Sequence, residues 1–389
     1  MDGAHVTRRR PLRAPNGPMP LRGDKPHRLS PSEGASLKGR QCCRLLTFHR
    51  TAVLVGVLVV LYNEVLVYYI NKTSWKLPPG FSQSRNDDKI VRLIIAGDPQ
   101  IQGYQYEVGG LVGWVTRLDS DRYLSKTFHL LLDLVQPDAV IFLGDLEDEG
   151  SVASDVEYSD YVRRFYQIFH VPAETKLILL AGDNDIGGEG ADMITQEKMQ
   201  RFEKNFAPLN EVVRVKNVDF IKVNLVTPFQ KSPAVPQTRL MSQLSAPVRV
   251  LLSHVTLNSA VLQTAATILG SFRPQYAFSA HFHKYERAAY NITRIMRYAG
   301  LPYPADLARQ QLVTQEFQVP TCSYRMGTAE IGYMVVTIDH AGEMSSSVVW
   351  LPRRYVSLCV YVVYLIVVVL AWIVQRACLS SRRHHTTQY

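Results

Sequence analysis

The sequence predicts an α/β domain enclosed by two apolar helices. Three observations carry that expectation. Five short apolar runs each end in a Gly-Asp pair or in histidine. Patterns of helical period separate them. Two uncharged or nearly uncharged stretches, 51–70 and 355–374, bracket the whole. Short apolar runs bounded by glycine and polar groups suit buried strands, and their alternation with helices implies an α/β architecture.

In chain order, run 91–96 ends in Gly97-Asp98, run 139–143 in Gly144-Asp145 and run 177–181 in Gly182-Asp183. Run 248–253 ends in His254, and run 276–280 in His281-Phe282-His283. Helical patterns occupy 122–135, 155–169, 191–206 and 257–269. Pro137, Pro172 and Pro274 follow three of them, where a ring that cannot continue a helix is expected. In open α/β sheets the loops beyond the carboxyl ends of strands converge on the ligand site, so these five ends would meet in one place. Singly, an Asp after a strand is ordinarily a turn residue and a lone His a structural one. A His-x-His pair on one strand shares a face, and the ordered set is stronger than any member.

A chain of 389 residues that is 47% hydrophobic is neither disordered throughout, nor collagen-like, nor a small disulfide scaffold. Its net charge of +9 invites a nucleic-acid partner, but the charge is not on the domain. Residues 1–50 carry +8 and 353–389 carry +5, while 51–70 carry −1 and 71–352 carry −3. A nucleic-acid-binding domain would hold its excess on the folded part, so no nucleic acid is expected.

Each apolar stretch matches the length of a membrane-crossing helix, with Tyr68, Tyr69, Trp75, Tyr355 and Trp372 placed as interfacial aromatics. The first is read as a signal anchor: it is long, begins 50 residues in and lacks a small-residue cleavage site. The basic flanks then put both termini in the cytosol and 71–352 in a lumen. Residues 1–50 form a disordered basic tail and 375–389 a second cytosolic tail. Sequons at Asn71 and Asn291 fit glycosylation on that side. Glu64 either reaches the interface or contacts the second helix. Cys322 is the sole cysteine of 71–352, so no disulfide is expected within it.

The ordered set Asp98-Pro99-Gln100, Gly144-Asp145, Gly182-Asp183-Asn184-Asp185, His254 and Ala280-His281-Phe282-His283 resembles the calcineurin-like metallophosphoesterase superfamily, over roughly residues 91–340. The resemblance implies a two-sheet α/β/β/α sandwich with two divalent metal ions beyond the strand ends. By position, Asp98 and His283 would bind the first metal and Asp145 would bridge both. Asp183, His254 and His281 would bind the second. Such ions lie about 3.5–4 Å apart in two-metal hydrolytic sites.

The chain departs from the family pattern. Gln100 stands in place of a His, either ligating through its carbonyl oxygen or holding another ligand. Asp183 replaces an Asn ligand, Asn184 replaces the His that serves the leaving group, and Ala280 replaces a Gly. More oxygen and more negative charge tilt the site from zinc toward manganese or magnesium. General acid–base help is worth about 10²–10⁴-fold. With Asn184 in the usual place, that help would fall to Asp183, Asp185, Tyr285 or a water. Asn184 and Asp185 are the candidate catalytic residues.

Flanking segments are similar to one membrane-bound branch, the post-GPI-attachment phosphoesterases. They are Tyr62-Asn63-Glu64 with Tyr68, Tyr69 and Trp75; Gly144 to Gly150; Asp185-Ile186-Gly187; and Glu316-Phe317-Gln318-Val319-Pro320 with Ser323, Tyr324 and Arg325. This implies a manganese-favouring phosphodiesterase of the endoplasmic reticulum or early Golgi membrane. It would remove an ethanolamine-phosphate branch from a mannose of GPI anchors, aiding export of GPI-anchored proteins. Its partners would be the GPI glycolipid or GPI-anchored protein and membrane lipid. Two other readings stay open: a metal-binding, inactive adaptor for such cargo, and a phosphoesterase for another lipid or a nucleotide.

Overall fold

The computed structural model describes residues 47–79, 81, 90–226 and 237–386; most of the 1–50 tail lies outside them. The chain divides into two compact units, one of Val59–Tyr361 and one joining Met1–Leu58 with Val362–Tyr389.

The larger unit holds two sheets. Strands β1 (Val91–Ala96), β2 (Ala139–Phe142) and β3 (Lys176–Leu179) run parallel in the first. Strands β10 (Gly332–Ile338) and β11 (Met344–Trp350) extend it antiparallel on the β1 side. The second sheet has the order β4-β5-β6-β7-β9-β8. There β5 (Val218–Lys222), β6 (Val248–Leu252), β7 (Tyr276–Ser279) and β9 (Val313–Gln318) are parallel. Strands β4 (Glu211–Val215) and β8 (Glu286–Asn291) are its antiparallel edges.

Alternation along each strand divides the core into layers. Leu93, Ile95, Ile141, Val250, Phe278 and Met334 pack between the sheets. Ile94, Val140 and Phe142 face the opposite way, under the Gly110–Val135 and Asp155–Ile168 helices through Phe128, Leu131 and Phe165. Ile221, Leu251 and Ala277 do the same for the second sheet, under the Leu262–Phe272 helix. The helix–sheet–sheet–helix sandwich is thus the one expected, and all five apolar runs are strands. Helix bounds differ more. The 122–135 pattern belongs to a helix that starts at Gly110, because Leu111, Val112, Trp114, Val115 and Leu118 are apolar without being buried and therefore show no core-facing period. The 191–206 pattern yields only Gln196–Asn205, where Thr195 accepts from Lys198 N and caps the helix.

Two helices, Thr47–Thr73 and Arg354–Cys378, are long and apolar enough to cross a membrane. Within the smaller unit they touch where Gly56 leaves room for Tyr364, whose hydroxyl donates to Ala52 O at 2.7 Å. In the larger unit a widened turn, Tyr62–Leu66, buries Asn63 and Glu64. Of the two readings for Glu64, the contact with the second helix is the one found. Glu64 Oε1 accepts from Arg354 Nη2 at 2.8 Å and from Tyr361 Oη at 2.7 Å. Arg354 also pairs with Asp119 of the long helix, and Arg122 of that helix reaches Glu64 Oε2 at 3.0 Å. Among the described residues the cysteines are free, including buried Cys322.

Candidate metal centre

The parallel strands bring their carboxyl ends to one edge of the sandwich. Asp98 follows β1, Asp145 follows β2, Asp183 follows β3, His254 follows β6, and His281 and His283 follow β7. Each of the three carboxylates is almost wholly buried. Five of the gathered residues hold left-handed backbone: Asp98, Gln100, Asp145, His281 and His283, with φ of 43°, 39°, 50°, 74° and 60°. Such conformations cost of order 1–3 kcal/mol each. Their clustering here turns the side chains at the strand ends inward.

Two donor groups share a middle member. His254 Nε2 lies 2.8 Å from Asp183 Oδ1, which His281 Nδ1 approaches at 3.1 Å. His254 Nε2 is also 3.5 Å from Asp145 Oδ1. On the other side, Gln100 Nε2 donates to Asp145 Oδ2 at 3.0 Å and lies 3.4 Å from His283 Nε2, which is 3.9 Å from Asp98 Oδ2. His254 Nδ1 stands 2.8 Å from Leu143 O. A proton held there fixes the tautomer and leaves Nε2 free to face a cation. Although Asp98, Asp145 and His254 also come close enough to share an ion, that hydrogen bond commits His254 to the Asp183–His281 side. Asp145 therefore lies between the groups, in the place a bridging carboxylate needs.

Electrostatics agree. Burial, with the Asp145 charge adding, pushes the Asp98 carboxyl up to about 7. Burial also pushes Asp145 up to about 6, the neighbouring Asp183 adding to it. Burial works against Asp183 too, but hydrogen bonds from His254 and His281 hold it below its ordinary range. His254 is driven well above its ordinary value, because the Asp145 charge and the Asp183 hydrogen bond outweigh its burial. His283 is lowered by burial and by its imidazole neighbours. The carboxylates thus burden one another, and the neighbouring imidazoles ease that burden. Buried carboxylates and imidazoles at this spacing could hold divalent cations, which would supply positive charge directly.

Two expectations about catalysis change. Asp185 does not open onto the centre. It is 1% exposed, and its oxygens accept from Gly182 N at 2.8 Å, Glu147 N at 3.0 Å and Leu146 N at 3.2 Å. Burial and the Asp145 charge push it up to about 8, but those three contacts make it a positioning residue that ties the β2 and β3 loops together. The proton-donor role does not fit it. Asn184 is at the centre, but its side chain is engaged: Nδ2 donates to Asp145 Oδ2 at 3.1 Å and its backbone N to Oδ1 at 3.0 Å. Both contacts orient the middle carboxylate.

Sequence reasoning assigned no role to several supporting groups. Glu149 accepts from Tyr104 N, Gln105 N and Tyr106 N, each at 2.8 Å, and folds the loop after Gln100. Arg325 bonds Asp148 Oδ2 at 3.0 Å, pairs with Glu107 and reaches Gln100 O at 3.4 Å. Only contacts across the chain reveal these roles. Gly182 is required for space: a Cβ there would overlap the Asp145 carboxylate and its backbone nitrogen. Gly182→Ala should therefore lower phosphoesterase turnover by about 10²-fold, the cost of misplacing a reacting group by an ångström, while circular dichroism stays native. Wild-type turnover in that variant would contradict the geometry.

Buried carboxylates and imidazoles converge on one middle aspartate at the ends of parallel strands in a two-sheet sandwich, an arrangement that could hold metal ions. The model of the Calcineurin-like phosphoesterase family matches residues 91–285, and the chain belongs to that family. It is similar to Metallophosphoesterase 1 of Danio rerio, 30% identical over 188 residues, which cover 47% of this chain and 45% of that one. Metallophosphoesterase 1 of Ailuropoda melanoleuca is 34% identical over 173 residues, 43% of this chain and 41% of its own. The alignments thus span somewhat less than half the length of these curated relatives.

Proposed function

We propose that the chain is a membrane-held phosphodiesterase that removes an ethanolamine-phosphate branch from a mannose of GPI anchors. The observation that carries this is the placement of Asp145 between the Asp98–Gln100–His283 and Asp183–His254–His281 groups. Two divalent cations held there would neutralise the phosphate oxygens and the charge that develops on them. Asp98, His283 and Asp145 would hold one, and Asp145, Asp183, His254 and His281 the other. Gln100 and Asn184 keep Asp145 in place by donating to its Oδ2, and the three carboxylates of the set suit manganese. A cavity of about 350 Å³, lined in part by Thr256, Phe282, Lys284, Arg287 and Glu316, adjoins the histidine loops. Its size supports a substrate larger than phosphate.

The two apolar helices and the basic ends support a lumenal domain with both termini cytosolic, in the endoplasmic reticulum or early Golgi membrane. GPI-anchored protein or glycolipid would be the partner, and cleavage would aid its export. Asn291 suits glycosylation: its Oδ1 caps the following helix through Arg294 N at 2.9 Å, leaving Nδ2 for a glycan. Asn71, whose Oδ1 accepts from Trp75 Nε1 at 2.9 Å, offers a second site beside the membrane.

The test is release of ethanolamine phosphate from a GPI glycan by the manganese-loaded full chain, beside Asp145→Asn. No release above that control, with metal bound, would sink the reading. The engagement of Asn184 with Asp145 favours a second reading, a cargo adaptor without turnover. Asn184→His separates the two: if only the leaving-group proton is lacking, turnover should rise by about 10²-fold. No rise from a zero baseline would favour the adaptor.

A further inference from the structure

The start of the Gly110–Val135 helix is apolar and uncovered. Leu111, Val112, Trp114, Val115 and Leu118 are between 49% and 74% exposed, and Tyr106 and Val108 lead into them. A contiguous exposed patch of this kind marks an interaction surface. Its charges are already used: Glu107 pairs with Arg325, and the Arg117 guanidinium lies over the Tyr104 ring at 4.4 Å.

The direction of the patch points to its partner. Leu111, Val115, Leu118, Arg122 and Lys126 fall on one stripe at helical period. At the far end of that stripe Arg122 holds Glu64 Oε2, and Lys126 binds Glu64 O. Glu64 belongs to the Thr47–Thr73 apolar helix, whose neighbouring Leu61, Tyr62 and Leu66 are exposed. The stripe of the long helix therefore runs from its exposed apolar start to an ionic contact with a candidate membrane span. Near its start, Thr116 Oγ1 accepts from Gln102 Nε2 at 3.1 Å, two residues from Gln100 in the metal centre.

We infer that the 106–118 stripe is a lipid-facing surface. It lies along the headgroup boundary of the leaflet that the apolar helices enter and seats the metal centre against it. Aromatic and aliphatic groups with no free charge suit that boundary. The inference rests on the membrane-crossing reading of the two helices, not on the substrate.

The full chain in nanodiscs of brominated phosphatidylcholine tests it. The emission difference between wild type and Trp114→Phe isolates Trp114, and the same difference for Trp372→Phe reports the second apolar helix. Trp114 emission should fall by about half or more relative to unbrominated lipid, since indole at this depth meets the bromines. Quenching of Trp372 without Trp114 would overturn the inference and leave the spans standing. Quenching of neither would remove both, and Trp114 quenching only with two copies per disc would assign the stripe to a self-contact. A second variant, Leu111→Glu with Leu118→Glu, should raise KM for a lipid-borne phosphodiester by about tenfold and leave hydrolysis of a soluble aryl phosphodiester unchanged. Equal KM for both would also overturn it.

Discussion

Asp145→Asn should abolish metal-dependent phosphoester hydrolysis, with turnover down by about 10³-fold or more. Loss of metal-supplied charge stabilisation is worth several kcal/mol, and each 1.36 kcal/mol is a factor of ten in rate. Among the described residues no other carboxylate stands between the two donor groups, at 3.5 Å from His254 Nε2 and 3.0 Å from Gln100 Nε2, so no described neighbour takes over. The same change removes one negative charge from a buried cluster in which Asp183 is the nearest added burden. In chelator the variant should thus unfold no earlier than wild type, yet gain little when manganese is added. Calorimetry with and without manganese, beside a turnover assay, checks both halves. A variant that keeps its activity, or that fails by unfolding in chelator, would refute the bridging role.

Arg354→Ala should cost about 3–5 kcal/mol of stability in the detergent-solubilised full chain, the loss expected when one partner of a buried charge cluster is removed. Arg354 is 5% exposed and joins Glu64 to Asp119. Without it Glu64 keeps Arg122, whose side chain is 56% exposed, and Tyr361, while Asp119 keeps the Tyr324 hydroxyl at 2.8 Å. Arg354→Lys should recover only part, since an ammonium is a compact charge without the planar five-donor fork of a guanidinium. Combining Arg354→Met with Glu64→Gln should cost less than the two single changes added together, because the partners fall as a unit. Denaturant midpoints within about 1 kcal/mol of wild type for Arg354→Ala would mean that the cluster is a surface pair.

Much of the fold was legible because its strands are short, apolar and closed by glycine or histidine. Each run sits in a sheet buried on both faces, where near-continuous apolar sequence is the expected signal. The gathering of the candidate ligands was legible for the same reason: residues placed just after such strands are readable in one dimension. Asp185 was not. An aspartate two residues beyond a ligand reads as catalytic until its oxygens are found occupied by Gly182 N, Glu147 N and Leu146 N. Glu149 and Arg325 were quoted in motifs but had no role until the loop amides and carboxylates they hold came into contact with them. The helix from Gly110 to Leu118 was missed because period-based reading looks for a buried face, and this face is apolar but uncovered.

The sequence by itself determined the strand set, the identity and order of the candidate ligands, the family, and the location of charge at the two ends. Those properties are local: they depend on residues within a few positions of one another. The tertiary structure alone decided which histidine nitrogen is left to face a cation if one binds, that Asp145 lies in the middle, that Asn184 bonds it while Asp185 ties the neighbouring loops, and that Glu64 is held by Arg354. Each of those is fixed by a hydrogen bond between residues dozens to hundreds of positions apart, such as His254 with Leu143 O, or by backbone amides that only a folded turn brings to one carboxylate. No one-dimensional pattern carries a direction in space.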